Sequence, residues 1–200
     1  MNIKSRFYLP AIAAAALSFV AAGAIAQQVN PKLVITGKEA EDIGESNMIN
    51  AATAEAISHA CERMATEHGQ NAAIVIIDTF GNVVHEHRMD GAARYTAIST
   101  AELKAKTARL TRRASSLRQY NVERNPNEVA REFGMGYFPT GGGLPIWAGK
   151  QIIGFIGVGG QAPRDGWSDE MCAWQALNQV VGQQPALPQA PPRQQRAAQQ

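Results

Sequence analysis

The sequence predicts an α+β fold in which a central, mainly antiparallel sheet is flanked by helices. Two pairs of strand-like runs are each joined by a tight reversal, and such hairpins give antiparallel neighbours. Helical stretches precede, separate and follow the hairpins, so the order is helix, hairpin, helices, hairpin, helix. Because an amphipathic helix must bury its apolar side, we expect the helices to pack on the sheet.

The first predicted helix covers residues 47–68. Its apolar residues, including Ile57 and Cys61, recur at spacings of three and four, whereas His59 falls on the polar side. A histidine at position 68 followed by Gly69 is typical of a helix end.

The first hairpin follows directly. Residues 74–77 are all β-branched, which is typical of a central strand buried on both faces. Asp78 to Gly81 provides the turn, and residues 82–89 form the returning strand. Regular alternation places four of its side chains on one face: Val83, His85, His87 and Met89.

The second half of the chain gives similar signals. An alanine-rich helix is predicted over residues 99–115, and Asn125 followed by a proline begins a short helix. The glycine-rich segment 139–145 leads into the second hairpin, and Ser168 caps the last helix. The strands of the second hairpin are predicted at 146–148 and 151–158.

Both ends of the chain are predicted to lie outside the fold. Residues 1–26 have a basic start, an apolar stretch and a small-x-small motif, as in a cleaved signal peptide. A membrane anchor is the alternative, but the apolar run is short for a bilayer span. Residues 183–200 are almost wholly Gln, Pro, Ala and Arg and are predicted to be a disordered tail. Residues 32–182 remain as one domain.

The charge balance and the predicted signal peptide restrict the classes of function that this chain can have. The chain has 19 basic and 17 acidic residues, and two basic residues precede the predicted cleavage site, which leaves 17 of each sign. This balance argues against a nucleic-acid partner. We expect a periplasmic or secreted protein without stable membrane insertion after cleavage. In an oxidising compartment Cys61 and Cys172 could pair, although each also suits a buried apolar helix position.

Four motifs occur in order along the domain. They are Asp78-x-x-Gly81 with Arg88-Met-Asp-Gly-Ala92, Ser99 with Lys104-Ala-Lys-Thr-Ala108, Gly141-Gly-Gly-Leu-Pro-Ile146, and Gly154-x-Ile-Gly-Val-Gly-Gly160 with Asp169-Glu-x-Cys-Ala173. In order and spacing they resemble the GlcG/HbpS family, also called the haem-degrading domain family, which includes the C-terminal domain of PduO-type proteins. The resemblance implies an α/β sandwich, a homo-oligomer and, for exported members, haem binding linked to haem or iron handling.

Two histidines are the candidate metal ligands. His85 and His87 lie two positions apart on a strand and so share a face, which Met89 continues. Imidazole and thioether suit haem iron, and paired imidazoles suit Zn, Cu or Ni. The alternative is two exposed histidines on an edge strand. His59 is either a ligand for haem held between subunits or a surface histidine. With no Cys-x-x-Cys-His motif, any haem would be bound non-covalently.

The motifs also supply a candidate ligand-binding set: Arg88, Asp90, Lys104, Thr107, Gly141, Gly142 and Gly143. Arg88 could bind a carboxylate through two hydrogen bonds, or it could form an ion pair with Asp90. The lysine and threonine, one helical turn apart, face either one pocket or solvent. The glycines either present N–H groups to an anion or form a tight turn. We expect all three groups to surround one hollow.

Two functions remain. The first is an exported haem- or iron-binding protein that assists haem or iron handling. The alternative is a small-molecule catabolic enzyme, or an auxiliary subunit, with a carboxylate-binding pocket. The sequence contains no Gly-x-Ser-x-Gly, His-Glu-x-x-His or Cys-x-x-Cys pattern, so it assigns no catalytic residue.

Overall fold

A computed structural model describes residues 29–39, 47–92 and 96–190 of the chain. Within these residues, five α-helices and four strands follow the predicted order, which confirms the α+β class. They are α1 (Ala51–Glu67), β1 (Ala73–Ile77), β2 (Val83–Arg88), α2 (Ala97–Thr111), α3 (Ser116–Arg124), α4 (Val129–Gly134), β3 (Gly143–Ala148), β4 (Gln151–Gly159) and α5 (Asp169–Val180). No helix in these ranges is long and apolar enough to cross a membrane. The predicted signal peptide lies outside the described residues.

The four strands form one antiparallel sheet in the order β2-β1-β4-β3. All five residues of β1 are buried, because this strand has a neighbour on each side and helices on both faces. Its predicted central position is therefore confirmed. Strands β2 and β3 form the two edges of the sheet.

A β-bulge in the first hairpin changes the predicted alternation along β2. Ile77 pairs with Val83 and the residue before it pairs with His85, so Val84 is an extra residue in β2. Val83 and His85 therefore lie on opposite faces, and the prediction that they share one is wrong. Beyond the bulge the alternation is regular, and His85 and His87 do share a face.

Helices α1 and α5 cover one face of the sheet. A disulfide joins Cys61 of α1 to Cys172 of α5, with Cα atoms 5.3 Å apart, which settles the pairing that the sequence leaves open. Both helices pack buried residues, such as Ile57 and Leu177, against the isoleucines of the two central strands. Ser168 caps α5 as predicted by accepting a hydrogen bond from the backbone N of Met171.

Helix α2 covers the other face at close range. Its buried side is mostly a row of alanines: Ala97, Ala101, Ala105 and Ala108. Glycines of β4 lie opposite. A Cβ at Gly157 would overlap the carbonyl oxygen of Ala101, and a Cβ at Gly159 would lie 2.6 Å from the hydroxyl of Thr100. The Gly-x-Gly pattern of β4 thus serves the packing of helix against sheet.

Helix α3 is an element that the sequence does not reveal. The chain leaves α2 at Arg112, which has a left-handed conformation (φ 52°), and turns into α3. The predicted helix over 99–115 is therefore shorter at its end. Asn125 acts as the predicted cap, since its side chain accepts a hydrogen bond from Asn127 N, and a 3₁₀ turn at Pro126–Glu128 leads into α4.

The segment 183–190 packs on the fold, whereas the sequence predicts disorder from residue 183. The buried side chain of Gln184 accepts a hydrogen bond from Trp147 N at 3.0 Å and donates one to Trp147 O at 2.8 Å. It thereby covers the edge of β3 as another strand would. Trp174 Nε1 donates to Pro185 O at 2.8 Å. The composition of this segment resembles that of a tail, but Gln184 pairs with the backbone of Trp147 and the Pro185 carbonyl accepts a hydrogen bond from a tryptophan side chain. Residues 191–200 lie outside the described residues.

Candidate functional site

The predicted site residues fall into two groups. His85, His87 and Arg88 belong to β2, whereas the glycines 141–143 enter β3 at the opposite edge of the sheet. Two strands lie between these edges, which at about 4.8 Å per strand separates the groups by about 14 Å. Arg88 and Asp90 therefore do not share one hollow with the glycines in a single copy of the chain.

Lys104 lies beneath the glycine bend and is only 4% exposed. Its Nζ donates to Asp169 Oδ2 at 2.6 Å and to Val158 O at 3.0 Å. Gly142 has φ +119°, and a Cβ there would lie 2.6 Å from Val158 O. The predicted closeness of lysine and glycines is found. The ammonium is nevertheless held by the fold, and it faces neither a ligand pocket nor a solvated basic surface.

Side chains also hold the backbone around the glycines. Thr107 Oγ1 accepts a hydrogen bond from Phe138 N at 2.8 Å. Ser115 Oγ accepts one from Gly143 N at 2.9 Å, and Gln119 Oε1 accepts one from Gly141 N at 2.9 Å. The N–H groups of Gly141 and Gly143 are therefore engaged, and the tight-turn alternative describes this segment. No observation here favours the carboxylate-binding pocket of the alternative function.

Two acids that the sequence assigns only to the first turn of a helix prove to be buried. Asp169 and Glu170 are each 9% exposed. Burial raises the pKa of the Asp169 carboxyl, and the charge of Lys104 opposes that shift. Burial likewise raises the pKa of Glu170. Their motif was visible in the sequence, but their burial depends on contacts between distant segments.

The corner at the end of β2 is open. Arg88 and Asp90 are both exposed, and no ion pair joins them. Met89 turns into the fold, and its sulfur accepts a hydrogen bond from Ala72 N at 3.2 Å. The methionine therefore does not continue the histidine face as a ligand, while Arg88 stays free to meet a carboxylate.

Three of the four histidines of the chain lie close together where β2 runs beside α1. His59 projects from α1 towards the face that carries His85 and His87. Glu62 lies between them, with its carboxylate 3.3 Å from His59 Nδ1 and 3.8 Å from His87 Nε2. Glu55 lies 3.7 Å from His59 Nε2. We call these five residues the histidine edge.

His85 is the histidine of this edge with a buried ring nitrogen. Its Nε2 atom is buried and has no hydrogen-bond partner among the described residues. Burial lowers the pKa of this imidazole, and the charge of Glu55 opposes the shift in part. The neutral form is therefore favoured, and neutral imidazole is the form that binds metal.

The histidine edge suits haem better than a bare ion. Within residues 29–39, 47–92 and 96–190, no group of three or more His, Cys, Asp or Glu side chains is arranged to hold a metal ion. Haem iron takes four ligands from its porphyrin and needs only one or two from the protein, commonly histidine. The imidazoles of the histidine edge fit that requirement.

A family model described as haem degrading protein, HbpS-like, matches residues 49–178. The chain belongs to the HbpS-like family. Its match spans every strand of the sheet and α1 to α4, and it ends within α5. The resemblance carried by the four motifs is thereby confirmed, and HbpS-like membership supports a haem-related function. A search of curated proteins finds no match.

Several solved structures share the fold of this chain. Protein ORFY of Klebsiella pneumoniae is 25% identical, with 68% of this chain and 92% of that chain covered and a TM-score of 0.59. HbpS is 26% identical, with 70% and 94% covered and a TM-score of 0.59. A complex of PduOC with heme has a TM-score of 0.57 over 65% and 93% of the chains, and at 21% identity it shows the fold alone.

Proposed function

We propose that this protein is an exported, non-covalent haem-binding protein and that the histidine edge supplies the imidazole that meets the iron. The observation that carries the proposal is the buried Nε2 of His85, which lacks a partner and lies beside two further imidazoles. The description of the family as haem degrading supports it. A structural neighbour whose complex with heme has been solved shows that this fold accommodates the ligand in that protein.

The histidine edge is open enough for a ligand as large as haem. The side chains of His59 and His87 are 56% and 44% exposed. They lie on an edge strand and on α1, so a flat macrocycle can reach both rings, whereas the buried Nε2 of His85 binds iron only after its ring turns outwards. Arg88 is also exposed, but it pairs with Ala73 and so lies on the opposite face of the sheet from His85 and His87, where it is not placed to bind a propionate of this haem.

A haem on this edge would leave one of its faces uncovered, and we propose that a second copy of the chain covers it. Large apolar side chains are exposed at the first hairpin turn, on α2 and at α4, so they offer further contact surface to a second copy but do not themselves cover the histidine edge: Phe80, Leu103, Leu110, Phe133 and Met135. Light scattering of the mature protein with and without haemin tests this proposal. A monomer under both conditions would contradict it.

Export and a role in haem or iron handling complete the proposal. The signal-like segment 1–26 supports export. The Cys61–Cys172 disulfide supports it too, because disulfides persist in the periplasm and outside the cell. Mass spectrometry of the protein from a periplasmic fraction should find Gln27 as the first residue. An uncleaved chain in the cytoplasm would contradict this proposal.

The binding proposal is tested by titrating the mature chain with haemin. We expect a saturable Soret shift with a defined stoichiometry per protomer, and a much weaker one in the double variant His85→Ala with His87→Ala. The matched control is His68→Phe, because His68 stacks on Trp167 at 3.9 Å and a phenyl ring preserves the stacking. A weak, unsaturable absorbance change in the wild type would overturn the proposal.

A further inference from the structure

A second candidate site lies on the side of the molecule away from β2. A cavity of about 460 Å³ opens between α3 and the C-terminal segment at Gln189. Arg113, Arg118 and Arg124 line it, together with Tyr120 and Asn121. Among the residues that the structure describes, no acidic one lines it. We call it the arginine cavity. Its volume lies in the range of small-molecule sites, which is about 300 to 1,000 Å³.

The three guanidinium groups are positioned in different ways. Arg118 stacks on Tyr137, with its Cζ 4.5 Å from the ring centroid, and its Nη1 lies 3.5 Å from the buried Glu132. Arg124 donates a 2.7 Å hydrogen bond to Asn121 Oδ1. These contacts fix two side chains in advance, which lowers the entropy lost when a ligand binds.

The charge of the cavity is mostly uncompensated. Arg113 and Arg124 form no ion pair with any described carboxylate. Within the described residues, Arg118 has only the long 3.5 Å contact with Glu132 to offset its charge. Like charges lining one concave surface repel one another and concentrate the field there, so an anion would relieve the repulsion.

The backbone conformation next to the arginine cavity supports a functional role for the cavity. Arg112 has a left-handed conformation (φ 52°, ψ 30°), where glycine or asparagine is the usual residue. It ends α2 so that the next residue, Arg113, enters the cavity wall. A non-glycine residue in this conformation carries backbone strain. A fold retains such strain where the surrounding structure requires that conformation.

We propose that the arginine cavity binds a small molecule with two or more anionic groups, either carboxylate or phosphate. Guanidinium groups recognise both through paired N–H donors, and at least two groups are needed to engage arginines on different elements. Arg113 precedes α3 and Arg124 ends it, and both side chains line the same cavity, so the ligand would bind between them. The site is independent of the histidine edge, since it shares no residue or element with it.

The test is isothermal titration of the mature chain at low salt, with pyrophosphate in one arm and citrate in the other. We expect saturable binding of at least one probe, and the tighter one identifies the anion class. Arg113→Gln and Arg124→Gln should each weaken binding about tenfold, as expected for loss of one charge-assisted contact. The matched control is Arg131→Gln, because Arg131 is exposed, pairs with Glu128 at 2.8 Å and does not line the cavity.

Three results would overturn the inference. The first is no saturable binding of either probe, and the second is an equal loss in Arg131→Gln, which would indicate general attraction to basic surface. The third is displacement of bound haemin by pyrophosphate, which would place haem propionates among these arginines. Failure of haem binding itself is distinguishable, because the two arginine variants keep all four histidines and should bind haemin as the wild type does.

Discussion

Lys104 Nζ lies 2.6 Å from Asp169 Oδ2, and this ion pair links helices that pack on opposite faces of the sheet. The pair lies beside the backbone of β4, whose Val158 carbonyl accepts a second hydrogen bond from the lysine. The motif lysine therefore ties the two helical layers together. Its role is to hold the bend at Gly142 and the start of α5 in place.

The replacement Lys104→Met should cost about 3 to 5 kcal/mol in the free energy of unfolding, because it leaves the buried Asp169 carboxylate without its partner. Urea denaturation measures the loss. The matched control is Lys106→Met on the same helix, where the Lys106–Glu102 pair is exposed at 2.6 Å and contributes at most about 1 kcal/mol. Equal stability of the two variants would contradict a structural role for Lys104.

The replacement Glu170→Gln should change how stability depends on pH. Burial raises the pKa of Glu170 in the folded state above its ordinary value of 4.5, so between the two values the folded state binds more protons. The stability from this group is complete below pH 4.5 and is lost as pH rises through the folded-state pKa. Glutamine does not titrate, so the variant should gain stability relative to the wild type as pH rises.

Denaturation at a series of pH values measures the difference between Glu170→Gln and the wild type. Asp169 titrates in both proteins, so its contribution cancels in that difference. Parallel stability curves for the two proteins would show that burial does not perturb Glu170.

The replacement Gly157→Ala should destabilise the fold by about 1 to 3 kcal/mol or more, because the added methyl group would overlap the carbonyl oxygen of Ala101 and push α2 off the sheet. Thermal denaturation measures it. Gly134→Ala is the control, since a Cβ there has no neighbour within 4 Å. The control should leave stability unchanged or raise it slightly. If both variants melt like the wild type, α2 does not require this glycine.

The replacement Gln184→Ala should cost about 1 to 3 kcal/mol, because it leaves both backbone groups of Trp147 without their partners at the edge of β3. The variant should also expose that strand edge and favour association, which light scattering detects. Its neighbour Gln183 is exposed, so Gln183→Ala serves as the control. If the two variants have the same stability and the same tendency to associate, Gln184 does not stabilise the fold, and the prediction of a disordered tail from residue 183 stands.

The sequence predicts the elements whose signals are local. The β-branched run of β1, the caps at Asn125 and Ser168, and the two tight reversals depend on neighbours along the chain. Helix α3 buries little apolar surface, so no periodic apolar pattern in the sequence marks it. The bulge that moves Val83 to the other face has no sequence signal, because simple alternation does not reveal an inserted residue.

The site was less predictable than the fold because its contacts join distant segments. Lys104 belongs to a basic run in the sequence, and only folding shows that Asp169, 65 residues later, neutralises it. Likewise, His59 and His87 lie on different elements, and no sequence pattern places Glu62 between them. The pairing of α1 with β2 that creates the histidine edge is a tertiary contact, which sequence periodicity does not encode.

The measurement that tests the central claim most directly is a haemin titration of a variant in which His59, His85 and His87 are all replaced by alanine. Only His68, stacked on Trp167, then remains as an imidazole ligand. The account predicts that the saturable Soret shift of the wild type disappears while the fold, followed by circular dichroism, is retained. An unchanged Soret shift and affinity in a folded triple variant would contradict it.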